Sequence, residues 1–355
     1  MSNLNRPSAV FVSNDEVFIA DTGNDRVRKL LRNGQIVTIA GNERGSLYDP
    51  SSIVVSSSNQ VYISEGERNL IFKIDEFGII SKIAGTYETE YNGDDQLAVN
   101  TKLNSPCGLF ITDNDEVLFC DKRNHRVRKI DRNGIIRTIA GNGIMTYNGD
   151  NQLATLASLR YPSSVFQYKD EIYIADSFSN RIRKIDRNGI IHTIAGNGIE
   201  GYNGDRRNAT DTSLNNPDSL FVHNDEIYFS DLDNHVIRKI LPNGIIKNIA
   251  GIPGKKGYNG DFKLATRTKL CWPTGIFVDS KNQVYFADHY NHCVRKIFKN
   301  GNMKIIAGIG DVLGYEGDVP FDFQQYPHIG PPRKKSPIKP FPKSYHDLIL
   351  ICQIV

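Results

Sequence analysis

Three histidines are the residues of this sequence whose spacing best suits metal or proton chemistry. His125, His235 and His292 each stand four positions after an aspartate, and His289 adds an imidazole near the last of them. Zinc requires such ligands to converge on one point at about 2 Å. Because the three occupy the same place in a longer repeated segment, we expect them to serve that repeat, with a partial metal site as the alternative. We predict no metal site.

A second set of chemically useful residues follows six prolines of the chain. They are mostly small and neutral, and they comprise Ser8, Ser51, Cys107, Ser163, Asp218 and Thr274. A single carboxylate without a histidine makes a poor acid/base pair and a poor metal cage. The sequence also has neither a G-x-S-x-G elbow nor a glycine-rich phosphate-binding loop. We therefore predict no catalytic residues and no cofactor.

The prolines mark the elements that must position these residues. The intervals are 43, 56, 56, 55 and 56 residues between Pro7, Pro50, Pro106, Pro162, Pro217 and Pro273. After each proline, short segments rich in Val, Ile, Tyr and Phe alternate with turns such as Asn133-Gly134, which indicates four antiparallel strands. Six such units predict an all-β fold, a six-bladed β-propeller of four-stranded antiparallel blades. A two-sheet sandwich would not explain a fixed period of this length.

Propeller geometry assigns the loops to two faces. If the innermost strand of each blade runs downward, the tight hairpins lie on the bottom face. The top face then receives the loops after the second strands and the long links between blades, and such connections often carry function. The candidate binding residues lie in these top loops: Lys122, Arg123, His125, Phe178, Asp233, His235, His289, Tyr290 and His292. The six residues after the prolines are expected at the top mouth of the channel.

Three further features recur along the chain, and each has a structural interpretation. An acidic residue ends the second strand of every repeat, where it is expected to accept backbone N–H groups or to pair with an arginine such as Arg126 or Arg181. Basic third strands, as at 126–129, are expected to form ion pairs between blades, with a phosphate or RNA contact as the alternative. Tyr-Asn-Gly-Asp elements in the links, as at 91–94, are expected to form capped turns, with calcium binding as the alternative.

The net charge of +3 resides in residues 319–355, which leaves residues 1–318 neutral. A neutral body argues against a dedicated nucleic-acid binder, and we predict no DNA partner. We divide the chain into a propeller at 1–318 and a Pro-rich basic tail at 319–355 that is expected to be poorly ordered. With no visible signal peptide or membrane span, we expect a cytoplasmic protein without a membrane partner. A fragment of a longer protein is the alternative.

The chain resembles the NHL-repeat family in five segments: ADTGNDRVRKL, CDKRNHRVRKI, ADSFSNRIRKI, SDLDNHVIRKI and ADHYNHCVRKI. The second repeat departs most, because SEGERNLIFKI has Glu65 for the aspartate and, in our alignment, Leu70 for the histidine. The resemblance implies a six-bladed propeller that serves mostly as a binding platform for proteins and sometimes for RNA. A minority of similar propellers are metal-dependent lyases or lactonases. The extended links with Tyr-Asn-Gly-Asp look like a subfamily variant.

These observations favour a non-catalytic interaction scaffold that binds a protein or peptide on its top face. A metal-dependent lyase or hydrolase that uses Asp218 and nearby top-face histidines is the first alternative. An RNA-binding propeller is the second, and it predicts an affinity that falls steeply with salt.

Overall fold

The computed structural model describes residues 3–41 and 47–310. The predicted tail at 319–355 lies outside the described residues, as does the last variant of the Tyr-Asn-Gly-Asp element at 315–318. Within the described residues the chain forms six sheets of successive antiparallel strands. The prediction of a six-bladed β-propeller is confirmed.

Each blade contains four main strands in chain order. Blades 1 and 2 contain Ala9–Ser13, Glu16–Asp21, Arg26–Leu30 and Ile36–Ala40, then Pro50–Val55, Val61–Glu65, Leu70–Ile74 and Ile80–Ala84. Blades 3 and 4 contain Pro106–Ile111, Val117–Asp121, Arg126–Ile130 and Ile135–Ala140, then Pro162–Tyr168, Glu171–Asp176, Arg181–Ile185 and Ile190–Ala195. Blades 5 and 6 contain Pro217–His223, Glu226–Asp231, Val236–Ile240 and Ile246–Ala250, then Pro273–Val278, Val284–Asp288, Cys293–Ile297 and Asn302–Gly308.

In residues 3–41 and 47–310 the helical segments are single 3-10 turns of three residues. Five follow second strands, at Thr22–Asn24, Lys122–Asn124, Ser177–Ser179, Leu232–Asn234 and His289–Asn291. Three lie in the links between blades, at Ala98–Asn100, Ala209–Asp211 and Ala265–Arg267.

The hydrophobic core consists of six clusters, each between two neighbouring blades. Alternation along a strand sends successive side chains to opposite faces of the blade, so each blade contributes to two clusters. Cys120 and Val127 of blade 3, for example, pack with Ile174 of blade 4. A leucine three residues before each proline completes these clusters and is at most 3% exposed: Leu4, Leu47, Leu103, Leu159, Leu214 and Leu270. Leu4 belongs to the cluster between blades 6 and 1, which closes the ring.

A buried arginine joins the second and third strands of a blade to the preceding link. In blade 3, the Nη1 atom of Arg128 lies 3.2 Å from the Asp121 carboxylate, and its Nη2 atom lies 2.8 Å from the carboxylate of Asp94 in the link. The Arg128 side chain is inaccessible to solvent, so its charge is balanced by these two carboxylates. The same three-residue arrangement centres on Arg183, Arg238 and Arg295.

The Tyr-Asn-Gly-Asp element therefore has a structural role in blades 3 to 6. Its tyrosine also lies near the buried guanidinium group, with Arg128 5.0 Å from the centre of the Tyr91 ring. The neighbouring Arg126 lies closer to the same ring, at 3.8 Å. The link then pairs with the outer strand of the following blade, at Gln96–Leu97, Gln152–Leu153, Lys263–Leu264 and the single bridge from Asn208 to Ile245. The aspartates at 94, 150, 205 and 261 pair with the buried arginines. These ion pairs therefore lie within a blade or between a blade and its preceding link, and not between blades as we expected. The acid Asp121 likewise pairs with Arg128 and not with Arg126.

Blade 2 lacks both halves of this arrangement. The link before it has no Tyr-Asn-Gly-Asp element, and Phe72 occupies the position of the buried arginine opposite Ile63. The omission of the arginine is consistent with electrostatics, because a buried guanidinium without its second carboxylate would be costly. The register also corrects our alignment of this repeat, since Leu70 pairs with Glu65 as Arg126 pairs with Asp121. Asn69, and not Leu70, stands at the histidine position.

Because one of two adjacent aspartates belongs to the buried ion pair, we expect their substitution to change the free energy of unfolding by different amounts. Asp94 pairs with the buried Arg128, whereas Asp95 pairs with Arg137 where both side chains are about half exposed or more. We expect Asp94→Asn to lower the free energy of unfolding by about 1–3 kcal/mol, because the buried guanidinium of Arg128 loses one of its two balancing negative charges. Asp95→Asn should cost less than about 1 kcal/mol. Urea denaturation of both variants measures the difference, and equal costs would contradict the proposed importance of the buried pair.

Candidate binding face and channel mouth

The histidine position of the repeat carries a contact between blades. In each blade its side chain accepts the backbone N–H of the residue before the next proline. His125 accepts from Tyr161 at 3.3 Å, and Asn180 accepts from Asn216 at 2.9 Å. The full set of acceptors is Asp25, Asn69, His125, Asn180, His235 and His292. All six have positive φ between 51° and 60°, a conformation that Asn, Asp and His tolerate better than most residues. We call this the latch position.

Where the latch residue is a histidine, its ring must be neutral to accept the N–H group. Because the Nδ1 atom accepts an N–H group, the proton of the ring resides on Nε2. Burial lowers the pKa of His125 to about 4, with the charges of Arg126 and Arg160 acting in the same direction. Burial also lowers the pKa of His235. Across the part of the chain that the structure describes, no three histidine, cysteine, aspartate or glutamate side chains are grouped so that they could hold a metal ion.

We expect His125→Ala to lower the free energy of unfolding by about 1–3 kcal/mol, because the buried Tyr161 N–H loses its acceptor. His125→Asn should retain most of the stability, since asparagine performs the same role at positions 69 and 180. Denaturant titrations at pH 7 measure both changes.

The same pair of variants tests the protonation state. Since the folded pKa of His125 is below that of the unfolded chain, its contribution to stability is present above about pH 6.5 and is lost as pH falls towards 4. The wild type should therefore lose more stability than His125→Asn between pH 7 and pH 5. A parallel decline would show that His125 is not the acceptor.

The residues after the prolines join neighbouring blades around the channel. The Ser163 hydroxyl donates to the Asp218 carbonyl at 2.5 Å, and the Ser8 hydroxyl donates to the Ser51 carbonyl at 3.1 Å. The Ser51 hydroxyl reaches the Pro106 carbonyl in the same way, at 3.3 Å. The Cys107 thiol lies 3.5 Å from the Ser163 carbonyl, and burial raises its pKa to about 12. These groups are engaged in structure, and the thiol is not ionised at neutral pH.

A second set of contacts follows the acidic residue of each blade. The Thr22 and Ser177 hydroxyls donate to the carbonyls of Pro50 and Pro217, each at 2.7 Å. His289 occupies the same position in blade 6, and its Nδ1 atom lies 3.0 Å from the Pro7 carbonyl. Nδ1 must carry the proton here because a carbonyl only accepts, so His289 helps to close the ring between blades 6 and 1. Burial lowers its pKa to about 4.

Asp218 is the charged residue among those that follow the prolines. Burial raises the pKa of its carboxyl group, with the opposing charge of Lys122 acting to lower it and that of Asp233 acting to raise it. Thr274, the next residue of this set, has a buried hydroxyl without a hydrogen-bond partner among the described residues. The charge of Lys122 in blade 3 thus acts on Asp218 at the channel mouth. We did not predict this interaction from the sequence.

The residue type at two positions differs from blade to blade, and we call these two positions together the top rim. They are the residue before each proline and the second residue after each acid. The first is strained everywhere, with positive φ at Arg6, Asp49, Ser105, Tyr161, Asn216 and Trp272. The second comprises Gly23, Glu67, Arg123, Phe178, Asp233 and Tyr290.

The top rim carries aromatic pairs on blades 4 and 6. Tyr161 and Phe178 meet edge to face with ring centres 4.8 Å apart, and Trp272 and Tyr290 lie 4.9 Å apart. The indole N–H of Trp272 donates to Asp233 at 2.7 Å, which fixes the ring between blades 5 and 6. Tyr290 remains 44% exposed. Sequence reasoning selected Phe178, Asp233 and Tyr290 but missed both Tyr161 and Trp272, although a bulky residue before a strand proline was visible.

Blade 2 has a buried acid, Glu65, but lacks the third-strand arginine that pairs with the corresponding acid in the other blades. Glu65 is fully buried, and its Oε1 atom accepts the Tyr48 N–H at 2.6 Å. Its Oε2 atom has no hydrogen-bond partner among the described residues, and Arg68 lies 3.9 Å away. Burial raises the pKa of Glu65 to about 7, and it raises that of the neighbouring Asp49 to about 6.

The raised pKa of Glu65 predicts a stability that depends on pH. The folded state holds the proton more tightly than the unfolded chain, so this group's contribution is full below about pH 4.5 and is lost as pH rises through 7. Glu65→Gln should therefore be more stable relative to the wild type at pH 8 than at pH 5.5. Thermal melts at both pH values test this, and an unchanged difference would show that Glu65 is ionised throughout.

The fold is a six-bladed β-propeller whose top face and channel mouth are built from repeated contacts between blades. Residues 270–297 match the family model of the NHL repeat. NHL repeat-containing protein 2 of Gallus gallus is 25% identical over 332 residues, which cover 80% of this chain and 45% of that protein. Teneurin-1 of Gallus gallus is 26% identical over 309 residues, which cover 76% of this chain and 11% of that protein. The chain thus spans less than half the length of either relative.

Solved structures share the fold. Virginiamycin B lyase from Staphylococcus aureus superposes with a TM-score of 0.52 at 19% identity, covering 86% of this chain and 87% of that one. XC5397 from Xanthomonas campestris, described as a gluconolactonase, superposes with a TM-score of 0.55 at 12% identity, covering 80% of this chain and 83% of that one. At this level of identity the likeness shows the fold alone. In the described ranges, no helix is both long and apolar enough for a membrane span.

Proposed function

We propose that this propeller is an interaction scaffold that binds a protein or peptide on its top face. The observation that carries the proposal is the pair of aromatic contacts on blades 4 and 6, at the positions that the repeat leaves free. A platform of identical blades offers the same surface six times, whereas a specific partner needs asymmetry. Tyr and Trp on a rigid support are the residues that most often carry binding energy at interfaces.

The geometry supports aromatic anchors that are already ordered before binding. Tyr161 packs between His125 and Phe178, and Trp272 packs between His235 and Tyr290. These rings would therefore lose little further side-chain entropy when a partner binds. The exposed Arg123 and the acidic pair Asp49 and Glu67 give the rest of the top rim distinct charges, which suits selection of one partner's orientation.

The two alternatives gain less support from the same geometry. For an RNA-binding propeller, the arginines of the third strands are engaged: Arg128 is buried between carboxylates, and Arg126 donates to the carbonyls of Asn124 and Asn142. For a lyase or hydrolase, Asp218 and Lys122 offer one acid and one cation at the mouth, while the Ser163 hydroxyl and Nδ1 of His289 donate to the next blade. These contacts favour a binding role.

Removal of the aromatic pairs should weaken partner binding without unfolding the propeller. We expect Tyr161→Ala/Phe178→Ala and Trp272→Ala/Tyr290→Ala each to weaken binding at least tenfold, because truncation of an aromatic anchor typically costs about 2 kcal/mol or more. A partner captured from source-cell lysate by the wild type would be purified, and its affinity for each variant measured by biolayer interferometry.

Phe77→Ala is the matched control, because this phenylalanine is 81% exposed and lies in the turn between the third and fourth strands of blade 2. It should bind as the wild type does. Equal affinity of both double variants and the wild type would overturn the top-face assignment. Capture that disappears after ribonuclease treatment would favour the RNA-binding alternative instead.

A further inference from the structure

Five phenylalanines line the central channel at one repeat position. Each stands four residues after its proline, on the innermost strand of its blade. Successive rings contact each other with centres 4.6–4.9 Å apart, along the series Phe110, Phe166, Phe221, Phe277 and Phe11. The planes of neighbouring rings are inclined by 56–63°, so the rings are tilted against each other, and Phe11 meets Phe277 edge to face. We call this series the phenylalanine arc.

The arc is open at blade 2. Val54 stands four residues after Pro50, where the other five blades have phenylalanine. Phe11 and Phe110 on its two sides therefore lack an aromatic neighbour between them. The missing ring leaves apolar space inside the channel, at a level about 10 Å below the residues that follow the prolines.

The arc and the strands around it line a partly open cavity of about 180 Å³ inside the channel. Among the described residues, those that line it are apolar, glycine or serine, and they include Val54 and all five phenylalanines. The serines are Ser52, Ser164 and Ser219, whose hydroxyl oxygens accept N–H groups of the next blades. No titratable side chain lines the cavity, so it offers no counter-charge to an ion.

We propose that this cavity is a binding site for a small uncharged aromatic molecule of one or two rings. Apolar cavities of roughly 150 Å³ stay dry and bind benzene, because water gains too few hydrogen bonds inside them. The tilted rings of the arc present both ring faces and ring edges, and an aromatic ligand at the place of the missing phenylalanine would complete the series. Burial of a carboxylate or ammonium there would lose hydration without compensation.

The site is distinct from the top rim, and it does not depend on the proposed scaffold function. The aromatic pairs of the rim precede the prolines or follow the second strands, whereas the arc lies within the innermost strands. The mouth residues, Asp218 among them, lie between the two. A small molecule in the channel and a protein on the top face can therefore be tested separately.

The test uses fluorobenzene and indole as probes of the whole chain. We expect saturable binding of fluorobenzene in ¹⁹F NMR titrations, with a dissociation constant on the order of 0.1–1 mM for so small a ligand. Benzoate should bind at least tenfold more weakly. Val54→Phe should weaken fluorobenzene and indole binding at least tenfold, because the sixth ring occupies the space. The repeat already accommodates phenylalanine at this position in the five other blades.

Matched variants keep the test decisive. Phe77→Ser alters an exposed ring and should leave the affinity unchanged, as should Trp272→Ala/Tyr290→Ala on the top rim. If Val54→Phe does not fold, Val54→Leu should still weaken binding, by a smaller factor. No saturable binding by the wild type, equal binding by the folded Val54→Phe variant, or preferential binding of benzoate would each overturn the proposal.

Discussion

The structure of each blade depends on the contacts made by the acidic residue at the end of its second strand. In blade 3, one oxygen of Asp121 accepts the backbone N–H of Asn104 at 2.7 Å. The other accepts the Asn124 amide at 2.9 Å and lies 3.2 Å from Arg128. One carboxylate thereby fixes the end of the preceding link, the top loop and the third strand. Blades 1, 5 and 6 repeat this set of partners through Asp21, Asp231 and Asp288.

This constraint explains why so many polar residues of the repeat are unavailable for chemistry. A buried carboxylate must be satisfied, a buried arginine must be balanced, and the N–H before each proline needs an acceptor. The repeat uses Asp121, Arg128 and His125 for these needs in blade 3. In blade 2 the preceding link has no such aspartate, and Phe72 stands in place of the buried arginine. We propose that function lies at positions that do not take part in these repeated contacts.

Those positions are the top rim and the inner wall of the channel. The rim differs from blade to blade, with aromatic pairs on blades 4 and 6 and acids on blade 2. The inner wall is nearly uniform, with Val54 as the one departure from phenylalanine. In both places the chemistry lies in the difference between blades, since a feature shared by all six cannot by itself define a single site.

The sequence by itself determined the number of blades, their strands and the structural nature of the repeated acid. Periodic prolines, strand-forming segments and turn dipeptides are local signals, and each blade is built from neighbours in sequence. Only the tertiary structure decided that the histidines are acceptors for the next blade, that the Tyr-Asn-Gly-Asp aspartates balance buried arginines, and that five phenylalanines form an arc. These contacts join residues of different blades or of a blade and its preceding link, as His125 joins Tyr161 and Asp94 joins Arg128. Their geometry follows from closure of the ring, which no local pattern specifies.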